Sequence, residues 1–166
     1  MEVGSARRSD GHGTKGGDLT GPSPTDRTKQ GGKRHLLTDG RGTPLAAVLS
    51  AANVQDRWTL AETLDNTGMR AGRWPRRPEH LCLDQGYFFP DCEAAVRDRH
   101  IVPHIRRKGE QPLVGRVHGT PRRCVVERTG SWCNRFRALR VRWEAKAAND
   151  LALFHLACAL IVLQPS

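Results

Sequence analysis

The sequence lacks both a long apolar run and a secretory leader pattern. No stretch approaches the roughly 20 apolar residues that a bilayer-spanning helix needs, since the longest, Leu151 to Leu163, is short and contains His155. We expect it to be a buried core helix, with the helix-capping residues Asn149 and Asp150 at its start. The N-terminal sequence has no apolar segment of the kind that directs secretion. These absences predict a cytoplasmic protein without membrane contact.

The cysteines lack the spacing that is typical of a metal site. The chain has five cysteines, an odd number, and none is arranged as CxxC or CxxxxC. Neither a disulfide framework nor a zinc ribbon is therefore indicated. We expect buried, reduced thiols at Cys82, Cys92, Cys124, Cys133 and Cys158.

Acidic residues are also few relative to basic ones. The chain has 27 Lys and Arg against 17 Asp and Glu, a formal net charge of +10, and only five of the 27 cations are lysines. Such a surplus favours a polyanionic partner, and arginine favours phosphate because its guanidinium makes two parallel hydrogen bonds. Residues 104–142 hold eleven of the cations and two acids, a net charge of +9. Arg-rich codon usage is the alternative explanation, but it would spread the charge more evenly.

The first 31 residues are rich in Gly, Ser, Thr, Pro and charge, and we interpret them as a flexible or partial N-terminal segment before a domain at 32–166. In that domain Asp39-Gly40 separates two apolar runs, which predicts a hairpin. Residues 56–66 place Trp58, Ala61 and Leu64 on one helical face. Strands are predicted at 80–83 and 101–105, and helices at 90–100 and 121 to about 140.

Two acidic residues occupy positions typical of a catalytic site. Asp84 ends the strand 80–83, at the sheet edge where sites of α/β folds cluster. Glu127 lies off the apolar face of the helix that starts near residue 121, beside small residues. Carboxylates are the ligands that Mg²⁺ prefers, and two such ions can activate a phosphodiester. Two structural alternatives stay open: Asp84 caps the following helix, or Glu127 pairs with Arg123.

The chain resembles the catalytic region of bacterial insertion-sequence transposases of the DDE type, over about residues 19 to 163. The resemblance is carried, in this order, by LTGPSPTDRTKQGGKRHLLTDGRGTPLAAVLSAANVQD, LCLDQGY, RRCVVERTGSWCNRFRALRVRWE and LALFHLACALIVL. It implies an α/β fold, an RNase H-like mixed sheet flanked by helices. The family's second and third catalytic carboxylates fall on Asp84 and Glu127, and its conserved arginine falls on Arg123.

The sequence departs from the family pattern at three places. The family's tyrosine falls at Thr120 and its lysine at Asn134. Its first catalytic aspartate follows an apolar strand, whereas the stretch before residue 19 shows no convincing strand. Asp10 is the only candidate there. We therefore expect a missing or incomplete first strand, as in a truncated chain or a second reading frame completed by an upstream product.

The resemblance implies a DNA transposase that cleaves and joins DNA strands with two Mg²⁺ or Mn²⁺ ions held by Asp84, Glu127 and an upstream aspartate. It also implies a homodimer on DNA, at the nucleoid. The alternative is a catalytically inactive, basic DNA-binding remnant, and a third hypothesis is a stand-alone RNase H-like nuclease or resolvase. The residues predicted to contact DNA are Arg107, Lys108, Arg122, Arg123, Arg128 and Arg135.

Overall fold

The computed structural model describes residues 2–9, 17–24, 29–67, 78–105 and 123–163, with the backbone alone for 2–9 and 123–124. The strands are β1 Glu2–Ser9, β2 Gly21–Pro22, β3 Gln30–Thr38, β4 Pro44–Ala51, β5 His80–Leu83 and β6 Val102–Ile105. The helices are α1 Leu60–Asp65, α2 Pro90–Arg97, α3 Arg123–Cys133, α4 Arg137–Arg140 and α5 Ala147–Leu163, and short 3₁₀ turns cover Asp56–Thr59 and Gln85–Tyr87.

The six strands of the described residues belong to one mixed sheet. β3 pairs antiparallel with β1, with β4 and with the two-residue strand β2. On its other side β1 pairs parallel with β5, which pairs parallel with β6. The predicted hairpin is confirmed as β3 and β4, joined by the turn at Asp39-Gly40.

The expectation of a missing or incomplete first strand is wrong. β1 is eight residues long and lies in the interior of the sheet, between β3 and β5. Its sequence EVGSARRS has no apolar alternation, so it escapes a search for hydrophobic strands. Backbone pairing along the whole of β1 to β3 holds it instead. The division of the chain at residue 31 stays a prediction, although β1 and β2 lie before that division and pair with β3.

Two hydrophobic cores lie on opposite faces of the sheet. Leu37 packs on one face in a core that α1 and α2 complete, with Leu81 and Leu83 of β5 in the same core. Leu36 packs on the other face, in a core that includes Cys133 and residues of α4 and α5. Successive strand residues point to opposite faces, which explains why the adjacent residues 36 and 37 belong to different cores.

Two predicted helices differ from the structure. The helix predicted from residue 121 to about 140 breaks after Cys133, where Phe136 takes an extended conformation before α4 begins. Bonds from Arg135 and Phe136 to the carbonyls three residues earlier tighten the end of α3. In addition, Trp58 is 63% exposed instead of facing the core. Residues 56–59 form a 3₁₀ turn, which changes the angular spacing on which the prediction depends.

The C-terminal helix starts earlier than predicted, and Asp150 does not cap it. α5 begins at Ala147, and Asp150 is buried in its first turn against two arginines. One face of α5 packs on β4, whereas Leu156 and Leu163 on other faces are exposed, so α5 is only half buried. In the parts of the chain that the structure describes, every helix falls short of the length or apolarity required to cross a bilayer.

Candidate active site

Asp84 extends from the carboxyl end of β5 and is half-buried. Its Oδ1 accepts a hydrogen bond from the backbone N–H of Gln85 at 2.7 Å. Among the described residues, Oδ2 makes no hydrogen bond. Asp84 therefore caps the short 3₁₀ turn Gln85–Tyr87, and it does so with one carboxylate oxygen. It does not cap α2, whose N-cap is Phe89. The second oxygen remains available for a ligand.

A buried polar chain lies next to this turn. Tyr87 Oη lies 3.3 Å from Nδ1 of His35, and Nε2 of His35 lies 2.8 Å from Oγ of Ser50. The backbone N–H of Tyr87 donates to the carbonyl of Asp84 at 3.0 Å. Burial lowers the pKa of His35 to about 4 and raises the pKa of Tyr87 well above its ordinary value. The neutral side chains thus tie the Asp84 turn to β3 and β4.

Glu127 is exposed on α3, and two neighbouring side chains fix that helix to the hairpin turn. The hydroxyl of Thr129, which is buried, donates to the carbonyl of Gly42 at 2.7 Å. The guanidinium of Arg128 donates to the carbonyl of Arg41, also at 2.7 Å. Gly42 has a positive φ of 94° and leaves no room for a Cβ, which would lie 2.9 Å from the Thr129 hydroxyl oxygen. The close contact between α3 and the backbone of the hairpin turn therefore fixes the part of the helix that carries Glu127.

Strand alternation predicts that Asp84 lies on the side of the sheet that carries α3, the helix of Glu127. Leu83 packs in the core completed by α1 and α2, so the alternation of the extended chain directs Asp84 to the opposite face. That face carries α3, whose residue Cys133 packs in the second core. α3 also packs against β1 and β3, and β1 is the strand adjacent to β5. Within the described ranges, however, no three His, Cys, Asp or Glu side chains group closely enough to hold a metal ion.

The transposase DDE domain family model matches residues 7–162. The chain belongs to the DDE transposases of insertion sequences. A protein of Burkholderia cepacia named "Putative transposase for insertion sequence element IS402" is 41% identical over 149 residues, which covers 86% of this chain and 67% of that protein. The catalytic core domain of BIV integrase superposes with a TM-score of 0.50 at 12% identity, over 99% of this chain and 85% of that one. The predicted RNase H-like fold is thereby confirmed.

Several predicted site residues of this DDE transposase lie outside the described residues, namely Asp10, Arg107, Lys108 and Arg122. Arg123 lies in α3 with only its backbone described, so its proposed pairing with Glu127 stays a prediction. Arg128 and Arg135 are both exposed. Arg128 also stacks on the Trp132 ring, 5.1 Å from its centroid, so part of its role is structural.

The register of β1 identifies an acid that the sequence analysis missed. Glu2 pairs with Cys82, and Val3 pairs with Leu83, so β1 begins beside the end of β5. Glu2 therefore shares the sheet face of Cys82 and Asp84. Ser9, the residue before Asp10, lies six residues beyond Val3, about 20 Å further along the strand. The sequence could have suggested Glu2 only if the strand itself had been recognised.

Buried cations form a second group that sequence reasoning missed. Arg34 and Arg142 each approach Asp150, at 3.5 and 3.8 Å, and all three residues are buried. Lys33 is also buried and pairs with Asp56 at 2.9 Å. Some of the excess cations are therefore structural and do not face solvent. Arg142 belongs to the basic segment 104–142, but it is buried and is not accessible to DNA.

Proposed function

We propose that this DDE transposase cleaves phosphodiester bonds at the ends of its element and joins the freed ends to target DNA. The observation that supports the proposal is that α3, which carries Glu127, packs over β1, the strand next to the one that Asp84 follows. The family match supports DNA as the substrate. The exposed arginines of α3 and the segment that follows it would hold the phosphate backbone.

The donor set fits a divalent metal cofactor. Asp84 has a carboxylate oxygen without a hydrogen bond in the described part of the chain, and Glu127 is exposed. Hard carboxylate oxygens suit Mg²⁺ or Mn²⁺. When bound, two such ions would activate the attacking oxygen and stabilise the leaving one. Asp84 and Glu127 would hold the ions, and the arginines would position the DNA strand for attack.

A third carboxylate on β1 would complete the set. We propose Glu2 for this role, because its register position shares the face of Asp84. Asp10 is the alternative from the sequence. Separate Glu2→Gln and Asp10→Asn variants distinguish the two assignments, since only the variant that removes a ligand should lose metal-dependent cleavage.

The test is nicking of a supercoiled plasmid that carries the element's ends, with Mg²⁺ or Mn²⁺. We expect the wild-type chain to cleave the plasmid. Asp84→Asn and Glu127→Gln should each lower the cleavage rate at least a hundredfold, because removing a group that stabilises the transition state typically costs a factor of roughly 10²–10³ in rate. Glu62→Gln changes an exposed acid of α1 and is the matched control. Full activity in Asp84→Asn would contradict the assignment. DNA binding without nicking by the wild type at any metal concentration would favour the inactive remnant.

Two ends must be cut for transposition, and one catalytic subunit at each end would meet this requirement. A homodimer is the simplest such arrangement. Sedimentation of the chain, with and without DNA that carries an element end, measures the number of subunits directly. The same experiment with an upstream reading-frame product, if the neighbouring DNA encodes one, tests whether a second chain joins the complex.

A further inference from the structure

An exposed aromatic cluster lies beside the Asp84 turn and takes no part in either core. Trp58 is 63% exposed, and Phe88 and Phe89 are also exposed. Arg57 lies between two of these rings, its Cζ 4.3 Å from the centroid of Trp58 and 4.7 Å from that of Phe89. We call Arg57, Trp58 and Phe89 the aromatic–arginine stack.

The stack is ordered by its own contacts. Nε of Arg57 is buried and makes no hydrogen bond within the described part of the chain, so the ring faces hold the guanidinium. Cation–π contacts of this kind contribute about 0.5–1 kcal/mol at exposed sites. They also connect the 3₁₀ turn Asp56–Thr59 to the residue that precedes α2. These contacts favour one orientation of the exposed indole.

The turn that carries Trp58 adjoins the turn that Asp84 caps. A Cβ built on Gly86, two residues after Asp84, would lie 3.1 Å from Oδ2 of Asp56. The turn that carries Trp58 therefore touches the turn that Asp84 caps. Phe89 follows Asp84 by five residues in the chain. A DNA strand that bound at Asp84 and continued across the junction of the two turns would meet these rings.

Exposed aromatic rings next to a cation are a typical binding site for unpaired bases. Base–aromatic stacking is tolerant of sequence because every base has a π-face, and arginine adds a cation–π contribution. In a duplex, the faces of a base are covered by its neighbours. A docking protein would also cover apolar rings, but the guanidinium held against two of them and the proposed DNA site at the adjoining turn favour nucleic acid.

We propose that the aromatic–arginine stack binds an unpaired base of the DNA strand held at Asp84. The proposal rests on the proposed function for the position of that strand. It implies a preference for single-stranded or locally opened DNA. The ratio of single-strand to duplex affinity should be higher than the charge of the chain alone would produce. The stack would then stabilise strand separation next to the bond to be cut.

The experiment measures DNA binding in EDTA, so that it does not depend on metal or on cleavage. A fluorescein-labelled oligothymidylate and a labelled duplex of equal length are titrated by anisotropy at several salt concentrations. Trp58→Ala should weaken oligothymidylate binding about tenfold, the effect of losing one stacked base. Duplex binding should change less than about twofold, and the salt dependence should stay the same because no phosphate contact is lost. Trp58→Phe should restore most of the affinity.

Trp143→Ala is the matched control, because Trp143 is 69% exposed but makes no such stack among the described residues. It should leave the ratio of single-strand to duplex affinity unchanged. Equal losses in the two tryptophan variants, or equal losses for both DNAs, would overturn the proposal. So would unaltered DNA binding of Trp58→Ala together with altered self-association in sedimentation, the result expected of a protein contact.

Asp84→Asn separates this proposal from the proposed function. If the stack is correct and the catalytic assignment is wrong, Trp58→Ala loses single-strand affinity while Asp84→Asn retains nicking. If the reverse holds, Asp84→Asn abolishes nicking and Trp58→Ala binds like the wild type. Urea unfolding of each variant checks that the chain is folded, which we expect because Trp58 lies outside both cores.

Discussion

The imidazole of His35 and the phenol of Tyr87 meet inside the protein, with 3.3 Å between Nδ1 and Oη, and both side chains are fully shielded from solvent. One belongs to β3 and the other to the turn that Asp84 caps. This hydrogen bond therefore connects the proposed catalytic carboxylate to the interior of the sheet. Its two members have opposite pKa shifts, each of which gives a measurable prediction.

Stability should fall with acid because His35 is buried in its neutral form. Burial lowers its pKa from 6.5 to about 4, while Asp56 acts to raise it and Lys33 to lower it. Between these two values the unfolded chain binds a proton that the folded chain does not, so the free energy of unfolding decreases as pH falls from 6.5 to 4. The contribution is about 3 kcal/mol at most, and it is constant above pH 6.5. Urea unfolding across this range measures it.

The control for this acid dependence is His155→Gln, which changes an exposed histidine of α5. His35→Gln should flatten the decrease in stability between pH 6.5 and pH 4, and His155→Gln should not. The same slope in the wild type and in His35→Gln would show that other groups cause the acid effect.

The phenol of Tyr87 should not ionise while the protein is folded. It is the one tyrosine in the sequence, so the phenolate absorbance has a single source. Burial, followed by the charges of Asp56 and Asp84, raises its pKa well above the ordinary value of 10. On alkaline titration we expect the phenolate band to appear only together with unfolding, followed by circular dichroism. A band that rises near pH 10 in the folded protein would contradict the buried position of Tyr87.

Removing the hydroxyl of Thr129 should loosen α3. Thr129→Val leaves the carbonyl of Gly42 without its donor in a buried place, which costs about 1–3 kcal/mol. Urea unfolding measures the cost, and hydrogen exchange of α3 amides shows whether the helix opens locally. Ser131→Ala is the control, because that exposed hydroxyl donates only within its own helix, to the carbonyl of Glu127. Equal effects of the two substitutions would argue against an anchoring role for Thr129.

Neutralising Asp150 should be strongly destabilising. The carboxylate lies between Arg34 and Arg142, and both guanidiniums are buried. Asp150→Asn leaves two buried charges without compensation, for which the usual cost is about 3–5 kcal/mol. A drop in the urea midpoint is the measurement. Asp65→Asn is a suitable comparison, since its ion pair with Arg99 is partly exposed and should contribute less than about 1 kcal/mol.

Local signals in the sequence were sufficient for part of this fold. Asp39-Gly40 predicted the hairpin, and the apolar run before Asp84 predicted β5 with that carboxylate at its end, because turn chemistry and strand patterning are local properties. Asp150 was mistaken for a cap because its partner Arg34 is distant in sequence. Periodicity likewise placed Trp58 in the core, although residues 56–59 form a 3₁₀ turn.

The candidate site was only partly predictable for the same reason. Asp84 and Glu127 were proposed from their motifs, but motifs do not indicate that α3 lies over the strand beside β5. Glu2 was missed because β1 is stabilised by pairing with β3 and β5, and a polar strand in that position leaves no hydrophobic pattern. Long-range pairing, not composition, determines where these residues meet.

The interior position of β1 also has a consequence for shortened forms of the chain. Deleting residues 2–9 would leave β3 and β5 each with an open edge facing the other across a gap. Unpaired edges of this kind recruit strands from other molecules. Forms of the chain that lack this strand should therefore accumulate as insoluble aggregates, which a sedimentation assay of the deleted and intact chains would measure.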